Sequence, residues 1–150
     1  MFAASEHHVM YQYNLVNAKT HYLGMIQTET PYYQPSPAPP APFTVSTTFQ
    51  DPSNWSGISA AWALRVTTST DIIVFGAGLY SFFSNYVQTC LTPENCQAQQ
   101  VNVDTTSSVH IYSLATVGTT FQLSVNQAGI INQSANPNGF AATVTAWSQS

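Results

Sequence analysis

A short polar corner followed by a short apolar run recurs along this chain, and that unit restricts the folds open to it more than any other feature. Asn17-Ala18-Lys19-Thr20 precedes His21-Tyr22-Leu23, Thr67-Thr68-Ser69-Thr70 precedes Asp71-Ile72-Ile73-Val74, and Thr105-Thr106-Ser107-Ser108 precedes Val109-His110-Ile111-Tyr112. A chain that must turn and stack each coil on the last needs this punctuation, so the pattern predicts a parallel β-solenoid. An antiparallel sandwich competes with it. No Asn-Gly hairpin signal joins two of the predicted strands, which favours the solenoid. Alternation of β-branched and aromatic residues predicts strands within 9–15, 22–26, 64–66, 72–75, 101–103, 109–114 and 143–147. Helical periodicity is not sustained for ten residues anywhere, and only one short turn is expected, near 81–86. The fold class read from the residues is all-β.

Composition narrows the partners. Lys19 and Arg65 are the two cations against six carboxylates, with 5% charged residues, where an ordinary soluble domain has roughly 25%. Two cations cannot neutralise a run of phosphates, so no nucleic acid partner is expected, nor an anionic membrane surface. Neutral partners remain. With 44% hydrophobic and 13% aromatic residues the chain can bury a core. Its polarity comes from Ser, Thr, Asn and Gln, a balance common in secreted proteins, and sequons at Asn54-Trp55-Ser56 and Asn132-Gln133-Ser134 make Asn54 and Asn132 candidate glycosylation sites. Cys90 and Cys96 enclose Leu-Thr-Pro-Glu-Asn, a turn-favouring segment that suits a small disulfide loop. Two free thiols are the alternative, and two sulfurs fall short of a tetrahedral metal set. The opening residues lack the basic and apolar regions of a secretory signal, so a secreted-looking chain without one reads as a fragment. No apolar stretch approaches 18 residues.

Six of the nine prolines lie within 31–42. Proline lacks the ladder donor, so this segment is a loop. It reads either as a linker or proline-rich ligand, or as a stiff loop on the end of a strand that holds Tyr32 and Tyr33 as a sugar-stacking edge. Among the six carboxylates, Asp51, Asp71, Glu94 and Asp104 occupy turn positions. Glu6 and Glu29 close strand segments 23 residues apart, about one solenoid coil, so stacking at roughly 4.8 Å would let them share a site. A shared site keeps one carboxyl protonated and the other ionised; two unrelated surface glutamates are the plainer alternative. His7 and His8, if on a strand, face opposite sides and cannot ligate one ion, so a hydrogen-bonding role is expected and no metal. Gly76-Ala77-Gly78 lacks the rest of a dinucleotide fingerprint and reads as close packing. No nucleophile elbow is present.

Several of these segments together, in order, resemble a known family. Residues 6–13 (Glu-His-His-Val-Met-Tyr-Gln-Tyr), 27–35 (Gln-Thr-Glu-Thr-Pro-Tyr-Tyr-Gln-Pro), 61–66, 76–83 and 90–97 look like the C-terminal β-helix portion of fungal glycoside hydrolase family 55, the exo-β-1,3-glucanases. The resemblance is strongest over 5–97 and covers most of the chain. It implies a right-handed parallel β-helix of the pectate-lyase type, with residues 1–150 forming part of the second β-helix of a tandem enzyme whose N-terminal β-helix is absent. It implies hydrolysis of β-1,3-glucan from chain ends with inversion, by a secreted monomer needing no cofactor. Glu29 matches the general acid, and Glu6 belongs to the same active site, helping to hold or activate water. Tyr32, Tyr33 and Gln27 are the expected glucan contacts. Inversion suits a pair of carboxyls about 6.5–9.5 Å apart. The family's additional cysteine pair near 51–60 is missing here, and so is the domain that supplies further groups around the water. The alternative is a non-catalytic β-solenoid that binds neutral glucan or serves as a cell-wall module.

Overall fold

The computed structural model describes residues 2–150, which form strands β1 (Ala3–Glu6), β2 (Tyr11–Val16), β3 (Lys19–Glu29), β4 (Trp62–Thr67), β5 (Thr70–Tyr80), β6 (Gln97–Val103), β7 (Val109–Val117), β8 (Thr119–Val125), β9 (Ala128–Asn132), β10 (Pro137–Asn138) and β11 (Ala141–Gln149). One 3-10 turn, Gln133–Ala135, interrupts them. Two sheets result, in the orders β1-β3-β5-β7-β11-β10 and β2-β4-β6-β8-β9. Up to β8 the chain alternates between the sheets, and each strand pairs in parallel with the strand two places on. The fold is therefore all-β, with two largely parallel sheets and no closed barrel.

Alternation of side chains decides what goes inside. In the first sheet Leu23, Val74 and Ile111 stand in register, as do Ile26, Ala77 and Leu114; in the second, Leu64, Val101 and Leu123 do the same. All are buried in one core. Like side chains stacked at the strand spacing make continuous apolar columns, and β-branched residues fit such a pleated surface well.

The recurrent polar corners stack as well. Ser69 Oγ accepts from the Ala18 amide at 3.1 Å, and Ser107 Oγ accepts from the Ser69 amide at 3.0 Å. Backbone bonds from Thr70 to Ala18 and from Ser108 to Ser69 tie the same corners together. Pairing changes after β8. β9 returns antiparallel on β8, and β11 runs antiparallel to β7, carrying β10 in a hairpin. That hairpin turns at Gly139-Phe140, so an Asn-Gly pair, Asn138-Gly139, does join two strands, contrary to the sequence expectation. Gly139 has φ +65°, the left-handed backbone such a tight turn demands.

Residues 81–86 form no helix; an antiparallel bridge joins Ser84 to Val87 instead. Residues 9–10 form a bend before β2, and β1, β8, β9 and β10 add strands the alternation did not mark. The long connections, 30–61 after β3 and 81–96 after β5, both leave the C-terminal ends of first-sheet strands. Functional groups concentrate at such loop-bearing ends of a rigid scaffold. Among the described residues no helix is long and apolar enough to cross a membrane.

Candidate active site

Pairing of β1 with β3 sets Glu6 directly opposite Glu29 at the ends of both strands. Tyr80 follows on β5, opposite Glu29. The ladder continues one step past Glu6, where the His7 amide donates to the Glu29 carbonyl at 2.9 Å. His7 lies beyond the strand with φ 61°, and this left-handed turn brings its ring back over Glu29. Its Nε2 is 3.5 Å from Glu29 Oε2. The Tyr32 hydroxyl donates to that same oxygen at 2.6 Å.

The ring of Tyr32 is held on two sides. His7 meets it edge-on at 4.5 Å between centroids, and Phe83 packs at 4.3 Å. The hydrogen bond to Glu29 raises the Tyr32 phenol above its ordinary value, helped by burial and by the negative charges of Glu29 and Glu6. Glu6 is thus close enough to act on the same hydroxyl. The structure places Tyr32 as a donor to Glu29, whereas the sequence pointed only to a sugar-stacking ring. Tyr33 sits elsewhere: burial raises its phenol first and Tyr86 adds to the shift, while a hydrogen bond with Gln34 opposes them.

The proline-rich segment is folded against the body and does not trail from it. Gln34, almost fully buried, donates to the Val9 carbonyl at 2.8 Å and accepts from the Ala61 amide at 2.8 Å. Amides of Asn85 and Tyr86 bond back to the carbonyls of Gln34 and Tyr32. Thr30, next to Glu29, donates its hydroxyl to Gln97 Oε1 at 2.5 Å. Four elements far apart in sequence therefore fix the end of β3.

Gln27 lies two residues before Glu29 and shares its outward face, since Ile26 and Thr28 between and beside them are buried. Its side-chain amide makes no hydrogen bond among the described residues. Asp51 and Asp104 are engaged in loops and corners away from this site. Asp51 accepts from the Tyr11 hydroxyl at 2.6 Å and the Ser46 amide at 2.8 Å. Burial, then the bond to Asp51, pushes the Tyr11 phenol up to about 12. Burial alone would raise Asp104, but bonds from Ser107, the Thr68 amide and Thr106 outweigh it and hold this carboxyl below its ordinary value. His8 is exposed and lines a cavity of about 460 Å³ with Tyr11, Phe43, Phe49 and Asp51, without His7. No group of three His, Cys, Asp or Glu residues able to hold a metal occurs among the described residues.

Cys90 is bonded to Cys96. Asn54 and Asn132 are exposed, each with Oδ1 accepting from the amide of the sequon serine, Ser56 and Ser134. Two participants escaped the sequence reading, the His7 contact with Glu29 and the packing of Phe83 on Tyr32. The Glu-His-His spelling held the first signal, but only the turn after β1 shows which histidine returns.

No family model matches the chain. Over 150 residues it is 39% identical to a protein of Arthroderma benhamiae named a probable glucan endo-1,3-β-glucosidase, an alignment covering 97% of this chain and 17% of that protein. Over 120 residues it is 38% identical to a glucan 1,3-β-glucosidase of Cochliobolus carbonum, covering 76% of this chain and 15% of that protein. A Penicillium expansum protein named a non-secreted LysM effector is 34% identical over 151 residues, 96% of this chain and 10% of that protein. The chain thus spans about a sixth or less of the curated relatives it matches. Over that span it is related to fungal proteins of which two carry β-1,3-glucan glucosidase names.

Proposed function

We propose that this chain carries the general acid of a β-1,3-glucan hydrolase, with Glu29 as the acid and Glu6 as the carboxylate that holds or activates water. The carrying observation is the in-register placement of Glu6 beside Glu29, with Tyr32 donating to one oxygen of the latter. A protonated Glu29 can accept from Tyr32 at Oε2 while its other oxygen donates to the glycosidic oxygen. As the carbon–oxygen bond breaks, the proton passes to the leaving hydroxyl and Glu29 becomes a carboxylate, which Tyr32 and His7 then face. Water attacks the opposite side of the sugar, giving up its proton to Glu6, and the anomeric configuration inverts.

The wider reading accompanies this site. The fold is a right-handed parallel β-helix, supported by same-sheet parallel strands joined through crossovers, which are right-handed in nearly all proteins. Residues 1–150 are the C-terminal β-helix portion of a longer secreted, monomeric enzyme, with Asn54 and Asn132 glycosylated. Its missing N-terminal β-helix completes the glucan cleft. Names of the relatives support the substrate class, and the small number of charged residues fits a neutral polymer.

The test is Glu29→Gln in the longer protein containing this chain. Turnover of laminarin should fall at least about a hundredfold, and the unmutated enzyme should release the α-anomer first. Near-normal turnover removes Glu29 from the role. The second reading is a non-catalytic β-solenoid that binds neutral glucan or serves as a cell-wall module, which the scarcity of charged residues suits equally well. Thermal protection by glucan, with no hydrolysis by the intact protein, would select that reading.

A further inference from the structure

Beside the carboxylates lies a row of rings that the acid–base chemistry does not use. Tyr80 ends β5 directly opposite Glu29 in the sheet register. Phe82 follows two residues after the end of β5, and both side chains are half-buried. Their rings lie 5.5 Å apart at 27°. Phe140, from the β10–β11 turn, continues the row at 6.3 Å and 23° and is 76% exposed. Three near-parallel rings thus lead across the sheet, away from Glu6.

Sequence supports the arrangement at a second position. A Cβ at residue 78 would collide with the Tyr80 hydroxyl and approach its ring carbon to 2.9 Å, so glycine there lets the ring lie back along its own strand. Gly78 is the register partner of Gln27. Neither the Gln27 side-chain amide nor the Tyr80 hydroxyl has a hydrogen-bond partner among the described residues. The row therefore offers apolar ring surface flanked by one free amide and one free phenol, and none of its members carries a charge.

We propose that Tyr80, Phe82 and Phe140 form a stacking platform for consecutive glucosyl units of a β-1,3-glucan, with Gln27 and the Tyr80 hydroxyl addressing the sugar hydroxyls. This deepens the reading of Glu29 as a glucan-cleaving acid and rests on it. Sugars present apolar C–H faces edged by hydroxyls, which is the pattern the row complements. An apolar face of another protein would make no use of the two free polar groups, and the row starts on the strand position paired with Glu29.

The experiment measures affinity for laminaribiose through laminarihexaose in the full chain and in Phe140→Ala, Phe140→Tyr and Phe140→Leu. Phe140 is exposed, so these substitutions leave the core untouched. The gain in affinity with chain length should shrink in Phe140→Ala, with the hexaose bound about tenfold more weakly. Tyrosine should restore it and leucine should not. Restoration by leucine, or chain-length dependence unchanged in Phe140→Ala, overturns the platform. The two proposals separate in the longer protein. Loss of turnover in Glu29→Gln with an unaltered length dependence in Phe140→Ala sinks the platform and leaves the acid. Retained turnover in Glu29→Gln with a lost length dependence in Phe140→Ala supports the platform and removes the acid.

Discussion

The Tyr32 hydroxyl donates to Glu29 Oε2 at 2.6 Å, and that bond is the first cause of the raised phenol. Losing the proton from Tyr32 would place two negative charges face to face, so the neutral phenol persists to higher pH than in a free tyrosine. Glu29→Gln removes the charged acceptor. The Tyr32 phenol should then titrate closer to its ordinary value of 10.0, read from ring-carbon shifts of labelled tyrosine. No change on substitution would show that Glu29 does not govern Tyr32. At this scale Glu6 and Glu29 were legible as strand-end carboxylates 23 residues apart, because spacing along the chain is visible in sequence. The roles of Tyr32 and His7 were not legible, since they depend on a loop returning and on one left-handed residue.

Corners carry the element-scale logic. Asp104, just past β6, accepts from the Thr68 amide of the preceding corner at 2.8 Å and from Thr106 and Ser107 of its own. Its folded-state value lies below the ordinary 3.8, so the ionised form is favoured by folding. That contribution is present above about pH 3.8 and fades as pH falls through the lower folded value. Asp104→Asn should therefore lower Tm at neutral pH by about 2–4 °C. It should also lose less Tm than the native chain between about pH 5 and about pH 2.5. An identical acid response in both would remove Asp104 as a corner clamp. Sequence repetition exposed these corners because stacked coils need alike turns. It did not expose the switch to antiparallel pairing in β9 and β11, which closes the stack where no further parallel strand follows.

For the whole molecule, cohesion comes from apolar columns and amide or hydroxyl networks, with charge nearly absent. Within the described residues no Lys or Arg pairs with a carboxylate, and the one contact of that kind is the imidazole of His7 beside Glu29. Gln97, Gln122 and Gln133 are buried and hydrogen-bonded where charged residues would be costly. Screening has little to act on. Raising sodium chloride from about 0.05 to about 0.5 M should move Tm by less than about 1 °C. A larger shift would reveal an electrostatic contribution that this charge distribution does not contain.

Sequence by itself determined the all-β class, the recurrence of polar corners before strands, and the short list of carboxylates. These are properties of local periodicity and counting, which need no knowledge of what lies beside what. Tertiary structure decided the rest. Register set Glu6 opposite Glu29 and Tyr80 next in line, the buried Gln34 pinned the proline-rich loop so that Tyr32 reaches its acceptor, and the hairpin at Asn138-Gly139 brought Phe140 to Phe82 across more than fifty residues. Contacts of that kind arise from loop return and strand order, and neither is written in the spacing of any one segment.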